Sequence, residues 1–592
     1  LDGFELDDIH AMTTAMGRSL GFGLAAVVIA AVASQVAGEA QGQGRHRGGP
    51  RDWSQGRLVA TRFGPDQDAA IGRNWRTAIK HRQLDQAKRR RAQQHLLDWS
   101  RHFPRWPPPS PGPDASGATL DWNLRTGGTG SVVGYPAKYS FDIDAADCSD
   151  VIYFTVDQTG TASRVNVIAI TNPYRGCPGN PGNLTPAVKF GLGLPYGVPT
   201  SSVPSLDGDV LYVIESRPSN QGGAILHAIR VDNVISNPGT YNYNTTNWSN
   251  ARALAAPTGS ATSEQLFQIA FAGVTNTTSS PYLDYDTSQM FFGDSQGRIH
   301  RIANVNTSSA ARDTTNFPIQ CGTQALNSPV FVEGQIIVSG ASGRLYRIDT
   351  TRPPPYTCIA GHQGGTGSSV GGAHSPVTVD VSNRKIIVTT NIDNDFGVRG
   401  MAVYELMFTS SAIPTSTAYL GPGTTAIAPT AVAMDDDFWS TNSGGIYAVG
   451  APSSGAGTYL IRIPYNGSLG TPSGFATLAR STLSLAASVA TSPVTEFLTA
   501  SSAANPDFMF VGGATGSYRF INRISSRFNG TTTAPVAMNG AYAPAGGVVS
   551  GIIIDTRTTS VTGATATANV YFGTVSPNLL TQSTIVQLAQ QF

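Results

Sequence analysis

Charge is scarce in this chain. Only 13% of its 592 residues are Asp, Glu, Lys or Arg, against 65 glycines and 37 prolines. That balance excludes a coiled coil and a charge-rich disordered protein. Histidine and cysteine are also few, nine and four. There is no CxxC, no CxxCH and no zinc spacing, which removes cysteine-based metal and haem sites. A Walker loop and a dinucleotide fingerprint between strand and helix are missing as well. Apart from one run near the N-terminus, no apolar stretch approaches the length of a membrane span.

That run is Leu20–Val36, preceded by Arg18 and followed by small residues at Ala31-x-Ala33 and Gly38-x-Ala40. The order is that of a secretory signal, so residues 1–40 are expected to be a signal peptide starting at Met12 or Met16, with 1–11 an over-extended reading frame. An uncleaved anchor is the alternative. The expected location is secreted or periplasmic, with the cell surface as a further option. Cys148, Cys177, Cys321 and Cys358 suit that route: an even count in an oxidising compartment predicts disulfides. Of the three pairings, Cys148–Cys177 with Cys321–Cys358 closes the shortest loops; four buried thiols is the alternative.

Residues 41–118 form a second region. Fifteen of the 39 basic residues lie between Arg45 and Arg105, with only five acidic ones beside them. From Asn74 to Trp99 apolar residues recur among Lys, Arg and Gln without glycine or proline, which predicts a basic amphipathic helix. Phe103 to Pro109 is proline-rich and ends it as a semi-rigid spacer. Residues 73–105 offer contact with an anionic surface, although a solvated spacer is the simpler account of them. No specific nucleic-acid motif is present.

From residue 119 to 592 the grammar is that of strands, short Val/Ile/Tyr/Phe/Thr runs cut by Gly, Asn, Asp and Ser. A unit repeats. Ser280-Pro281 leads to Met290-Phe291-Phe292-Gly293 and Gly297-Arg298-Ile299-His300-Arg301-Ile302; Ser328-Pro329 leads to Ile336-Ile337-Val338 and Gly343-Arg344-Leu345-Tyr346-Arg347-Ile348. A third copy starts at Ser375-Pro376, and weaker ones near Pro136, Pro204, Pro429, Pro493 and Val548. A period near fifty with three or four strands predicts an all-β chain: a β-propeller of eight four-stranded blades, with seven as the alternative if two repeats merge. The ring must close. Thr119–Leu124 precedes the first unit and Thr584–Leu588 ends the last one a strand short, so the two are expected to pair.

The Ser-Pro step, the β-branched or aromatic triplet and Gly-x-Leu/Ile-Tyr/His-Arg-Ile resemble the repeats of quinoprotein-like (PQQ-type) propellers. The stretch Asp121-Trp122 through Pro136 to Asp142 resembles the opening of exported bacterial propeller proteins. The resemblance implies the fold over about 119–590; its family includes both quinone-dependent dehydrogenases and non-enzymatic proteins. Of the dehydrogenases' tryptophan blade motifs and adjacent cysteine pair this chain has neither, so no catalytic residue and no cofactor is carried over.

The remaining candidates are few. Gly367-Ser368-Ser369-Val370-Gly371 has nucleophile-elbow spacing but sits in a glycine-rich loop rather than between strand and helix. His362 and His374 flank it; with His227 and His300 they are the propeller's histidines, two of which could face the axis as metal ligands. Asn391, Asp393 and Asp395, followed by Gly397, begin like a short calcium loop, without the distal Glu of an EF-hand, so structural calcium is the one cofactor to consider. Asp435-Asp436-Asp437 is a second acidic cluster. The function expected is a binding scaffold for an extracellular protein, polymer or polysaccharide, with a propeller oxidoreductase, hydrolase or lyase as the alternative.

Overall fold

The computed structural model describes residues 49–51, 59–60 and most of 118–591; within the latter span the longer undescribed stretches are 175–186, 232–242, 254–264, 481–490, 523–535, 538–549 and 556–566. The expected signal peptide and the expected basic helix both lie outside the described residues. Every described element is a β-strand, and among the described residues no helix is long and apolar enough to cross a membrane. All of these strands belong to one unit, Gly49–Phe592.

The repeats fold as antiparallel sheets of four main strands, eight of them among the described residues. The first holds Ala137–Ser140, Val151–Thr155, Val167–Thr171 and Ala187–Gly193. The second holds Val203–Pro204, Val210–Glu215, Ala224–Arg230 and Gln265–Phe271. The third, Tyr282–Asp284, Gln289–Gly293, Arg298–Ala303 and Ala311–Arg312, takes Ile319–Gln320 along the same outer flank. The fourth is Val330–Val332, Gln335–Ser339, Arg344–Asp349 and Cys358–Gln363. The fifth is Thr378–Asp380, Lys385–Asp393, Gly400–Met407 and Ser416–Pro422. The sixth and seventh start at Ala433–Met434 and Thr495–Leu498.

The eighth sheet is assembled from both ends of the propeller sequence. Ile553–Asp555, Thr567–Gly573 and Thr584–Gln591 take their outer strand from Ala118–Arg125, in register from Ala118↔Gln590 to Arg125↔Thr584 with a bulge at Asp121. The pairing of Thr119–Leu124 expected from the sequence is thus present. Trp122 and Leu124, fully buried, pack with Tyr571 and Ile585 against Ile152, Phe154 and Ile168 of the first sheet.

Middle strands such as Val151–Thr155 and Val210–Glu215 are buried along their whole length, because each sheet is covered on both faces by its neighbours. Val151, Tyr153 and Phe190 pack on Leu211 and Val213, joining sheets one and two. Tyr212 and Phe271 pack on Met290 and Phe292, and Phe291 and Ile299 on Ile336 and Tyr346, which carries the stack on to the fourth sheet. The series continues through Val330–Val388, Ile387–Ile446 and Tyr447–Met509. Between the seventh and eighth sheets the Thr495 hydroxyl donates to Ile552 O at 2.9 Å. Sheets stacked in sequence order and closed back on the first form a β-propeller.

Three serines, two of them in Ser-Pro steps, link the first four sheets. Tyr135 N donates to Ser201 Oγ (2.8 Å), Ser201 N to Ser280 Oγ (2.9 Å) and Ser280 N to Ser328 Oγ (2.9 Å). Each serine thus satisfies the buried N–H at the start of the preceding sheet. Gly297 and Gly343 turn the second strand into the third with φ of +80° and +68°, where a side chain would be strained. A Cβ on Gly297 would meet Gly322 O at 2.4 Å.

Candidate functional site

The side chains with most chemical capacity lie inside the sheets. In the second sheet Glu215 ends the second strand, and His227 on the third strand faces Val213, two positions before it. Glu215 Oε2 lies 3.0 Å from His227 Nε2 and 3.2 Å from Arg217 Nε, while Oε1 accepts Tyr196 N at 2.8 Å. His227 Nδ1 is 3.1 Å from Gln265 Nε2. The third sheet repeats the plan: His300 faces Phe292, and Asp294 stands two positions beyond. Asp294 Oδ2 is 2.8 Å from His300 Nε2 and 2.7 Å from Arg298 Nε, and its Oδ1 accepts Gln296 N and Arg298 N at 2.9 Å.

Burial pushes the His300 pKa below its ordinary value, and repulsion from Arg312 and Arg298 outweighs, together with burial, the opposing pull of Asp294. For Asp294 burial acts upward, but the bonds from His300 and Arg298 overcome it and hold the carboxyl low. The pair is therefore a neutral imidazole donating from Nε2 to a carboxylate. Its Nδ1 is buried with no hydrogen-bond partner among the described residues, between Phe292, stacked at 4.9 Å, and Phe271, edge-on at 5.3 Å.

Two lysines are held the same way. Lys138 Nζ is 3.0 Å from Asp150 Oδ2 and donates to Tyr174 Oη at 2.5 Å, and Tyr174 in turn donates to Asp150 at 2.6 Å. Lys385 is 3.0 Å from Glu405 Oε1 and donates to Tyr465 Oη at 2.9 Å. These carboxylates are almost fully buried and already engaged, a geometry that positions strands and turns rather than presenting a nucleophile or base to a substrate.

The residues singled out in the sequence separate rather than converge. His227 and His300 belong to the two clusters above. His374 is buried near the start of the fifth sheet, its backbone bridging Thr390 and its O accepting Asn327 Nδ2 at 2.8 Å; His362 lies on the outer strand of the fourth. The Gly367–Gly371 stretch, Asp395, Asp436, Asp437 and Cys177 lie outside the described residues. Asn391 and Asp393 are placed on the strand Lys385–Asp393 rather than in a turn, Asp393 opposite Gly400. Asn391 is buried, and its Oδ1 has no hydrogen-bond partner among the described residues. Asp435 is buried too; its Oδ1 accepts Phe438 N at 3.0 Å. Among the described residues no three His, Cys, Asp or Glu side chains are grouped as metal ligands.

Cys321 and Cys358 are bridged, with Cα atoms 5.1 Å apart, and Cys148 is also disulfide-bonded. The Cys321–Cys358 bridge ties the outer flanks of the third and fourth sheets. Beside it Arg301 lies over the rings of Phe317 (4.6 Å) and Tyr356 (5.8 Å). Trp122 is fully buried and donates from Nε1 to Pro173 O at 3.1 Å. Neither the outer-flank bridge nor the buried indole fits a quinone held over the axis.

No family model matches the chain, and no curated protein matches it in sequence. Similar solved structures are BamB from Moraxella catarrhalis (10% identity, 80% of this chain and 98% of that one, TM-score 0.35) and Sqt1 from Saccharomyces cerevisiae (9%, 80% and 100%, 0.47). The WD40 β-propeller domain of Doa1 is a third (11%, 69% and 98%, 0.35).

The Glu–His and Asp–His pairs were not anticipated from the sequence. A signal existed in the repeats: where the third unit has Asp294 and His300, the fourth has Gly340 and Tyr346. Acid and histidine change together, as partners across two adjacent strands would.

Proposed function

We propose that the chain is an exported, eight-bladed interaction scaffold that binds an extracellular protein through its loops and rim. The observation that carries this reading is the engagement of Lys138, Glu215, His227, Asp294 and His300 in buried pairs, and of the part-buried Lys385 with the buried Glu405, within the propeller. Chemically able groups there stiffen the sheets, which leaves the loops of a rigid ring as the variable surface. The Cys321–Cys358 bridge supports export, since such bonds persist in oxidising compartments. Mass spectrometry of the native chain then finds an N-terminus near Ser34 or Gln41.

The test is a panel of extracellular proteins and surface polysaccharides presented to the purified mature chain, alongside a dye-reduction assay with added pyrroloquinoline quinone. Saturable binding to one protein class with no quinone-dependent turnover is expected. Saturable quinone-dependent oxidation would replace the scaffold with the oxidoreductase reading, and exclusive polysaccharide binding would change the partner class.

Structural calcium at Asn391, Asp393 and Asp395 belongs to the same proposal. Its support is the buried, unpartnered Asn391 Oδ1, an oxygen that a hard cation would satisfy.

A further inference from the structure

Where the first strands of neighbouring sheets meet, they approach one another directly: Ala137–Ser140 and Val203–Pro204, Tyr282–Asp284 and Val330–Val332, Ala433–Met434 and Thr495–Leu498. They are the innermost strands of the ring. Among the described residues, each bonds within its own sheet to the second strand alone, and its other backbone edge is turned toward the axis. Such an edge is a template for another strand.

Two of these edges are occupied by the chain's own N-terminal region. Gly49–Arg51 pairs antiparallel with the first strand of the first sheet, Gly49↔Ser140 through Arg51↔Lys138. Val59–Ala60 pairs parallel with the first strand of the fifth, Val59↔Val379 and Ala60↔Asp380. In a ring of eight sheets stacked in sequence order the first and fifth are opposite one another. Only seven residues separate the two short strands, and a chain of that length reaches about 25 Å when extended.

We propose that Gly49–Arg51 and Val59–Ala60, which belong to one continuous stretch of chain, act as an intramolecular strap that ties two opposite inner edges. The inference rests on the eight-sheet ring but not on the scaffold's partner. It gives the region behind the signal peptide a task within the propeller. Any ligand that enters the axis by pairing with those edges competes with the chain itself, because a backbone edge accepts one strand at a time.

Hydrogen exchange on two chains, one starting at residue 41 and one at residue 61, tests this. Without the strap, amides in Ala137–Ser140 and Thr378–Asp380 should exchange about fivefold faster, the equivalent of a net hydrogen bond. Thr584–Gln591, protected by Ala118–Arg125 in both chains, should not change. Equal exchange at the first two sites overturns the strap. Loss of protection at Thr584–Gln591 in the longer chain overturns the closed ring, and the strap with it. Because the shorter chain can fail to fold, a second measurement uses the chain from residue 41 with Val59→Cys and Val379→Cys, with Val59→Cys and Leu283→Cys for comparison. Non-reducing peptide maps should find a 59–379 link and no 59–283 link; equal linkage in both refutes the proposal.

Discussion

Trp122 and Tyr571 meet with ring centroids 6.1 Å apart although they come from opposite ends of the propeller sequence. Their contact belongs to the seam where Ala118–Arg125 joins Thr584–Gln591. Trp122 also bonds Pro173 O, so one side chain links the eighth sheet to the first. Trp122→Ala should destabilise the protein by about 3–5 kcal/mol, the usual cost of emptying a buried aromatic site. Deleting 118–125 exposes the edge of Thr584–Gln591 and should produce aggregation rather than a local loss. Chemical denaturation and size-exclusion chromatography read the two effects; an unchanged midpoint for Trp122→Ala would remove the seam from the stability argument.

The serine collar gives a second, smaller prediction. Ser280→Ala leaves the buried Ser201 N without its acceptor, at a cost of about 1–3 kcal/mol. Ser280→Thr keeps the oxygen and should retain most of the stability, whereas Ser280→Cys, a weak acceptor of similar size, should behave more like alanine. Equal midpoints for the threonine and alanine variants would show that the hydroxyl is not what matters.

The collar also shows why the fold was legible and the site was not. Ser280-Pro281 and Ser328-Pro329 recur because each serine accepts the N–H at the start of the preceding sheet, while Ser375-Pro376 and Ser492-Pro493 accept an N–H of their own second strand, Thr389 N and Gly512 N; a serine at the head of the inner strand is used in either case and is therefore visible as a period. The closing strand was legible for a related reason, since Leu120–Leu124 had no sheet of its own. Asp294 and His300 occupy equivalent places to Gly340 and Tyr346, so aligned repeats show the two changing together without showing what they do: an acid–histidine pair found in two of the eight sheets among the described residues has no period. Asn391 and Asp393 read as a turn from their side chains alone, because Asn and Asp favour turns. They lie on a strand because Lys385–Val388 continues through Thr389 and Thr390, opposite Val403 and Ala402, to Asp393 opposite Gly400, and tertiary pairing overrides local preference.

Reducing the Cys321–Cys358 bond opens a loop with a sequence separation of 37. Chain-entropy arguments assign such a loop about 3–4 kcal/mol. Cys321→Ser with Cys358→Ser should therefore lower the denaturation midpoint, and excess dithiothreitol should lower the wild type further through Cys148. The effect should be largest on the outer flanks of the third and fourth sheets, read by exchange at Ile319–Gln320 and Cys358–Gln363. A double variant as stable as wild type would make the bridge energetically idle.

Calcium, if held by Asn391 and its acidic neighbours, should raise the melting temperature in a saturable way, and a chelator should reverse it. Asn391→Leu removes the unpartnered oxygen, so it should abolish the calcium response. A response that survives Asn391→Leu places the ion elsewhere, and no response in the wild type withdraws it.

Acid should weaken the propeller in two steps, and the first belongs to His300. Its folded pKa lies below the ordinary 6.5, so near that pH the unfolded chain takes up a proton that the folded chain refuses. The stability this group contributes is complete above about pH 6.5 and declines as pH falls below it. Protonation would put a hydrogen on Nδ1, which is buried without an acceptor among the described residues, between Phe271 and Phe292. Asp294 is held below the ordinary 3.8; its contribution is present above that value and is lost as pH falls through the lower folded pKa. Denaturation midpoints should hence be flat from about pH 8 to 7, begin to fall below about pH 6.5, and fall again below about pH 4. His300→Gln keeps a donor for Asp294 without a titrating ring, so it should remove the first decline and leave the second. If the wild type is flat down to about pH 5, or if His300→Gln retains the slope, the neutral buried imidazole is not the group that senses acid.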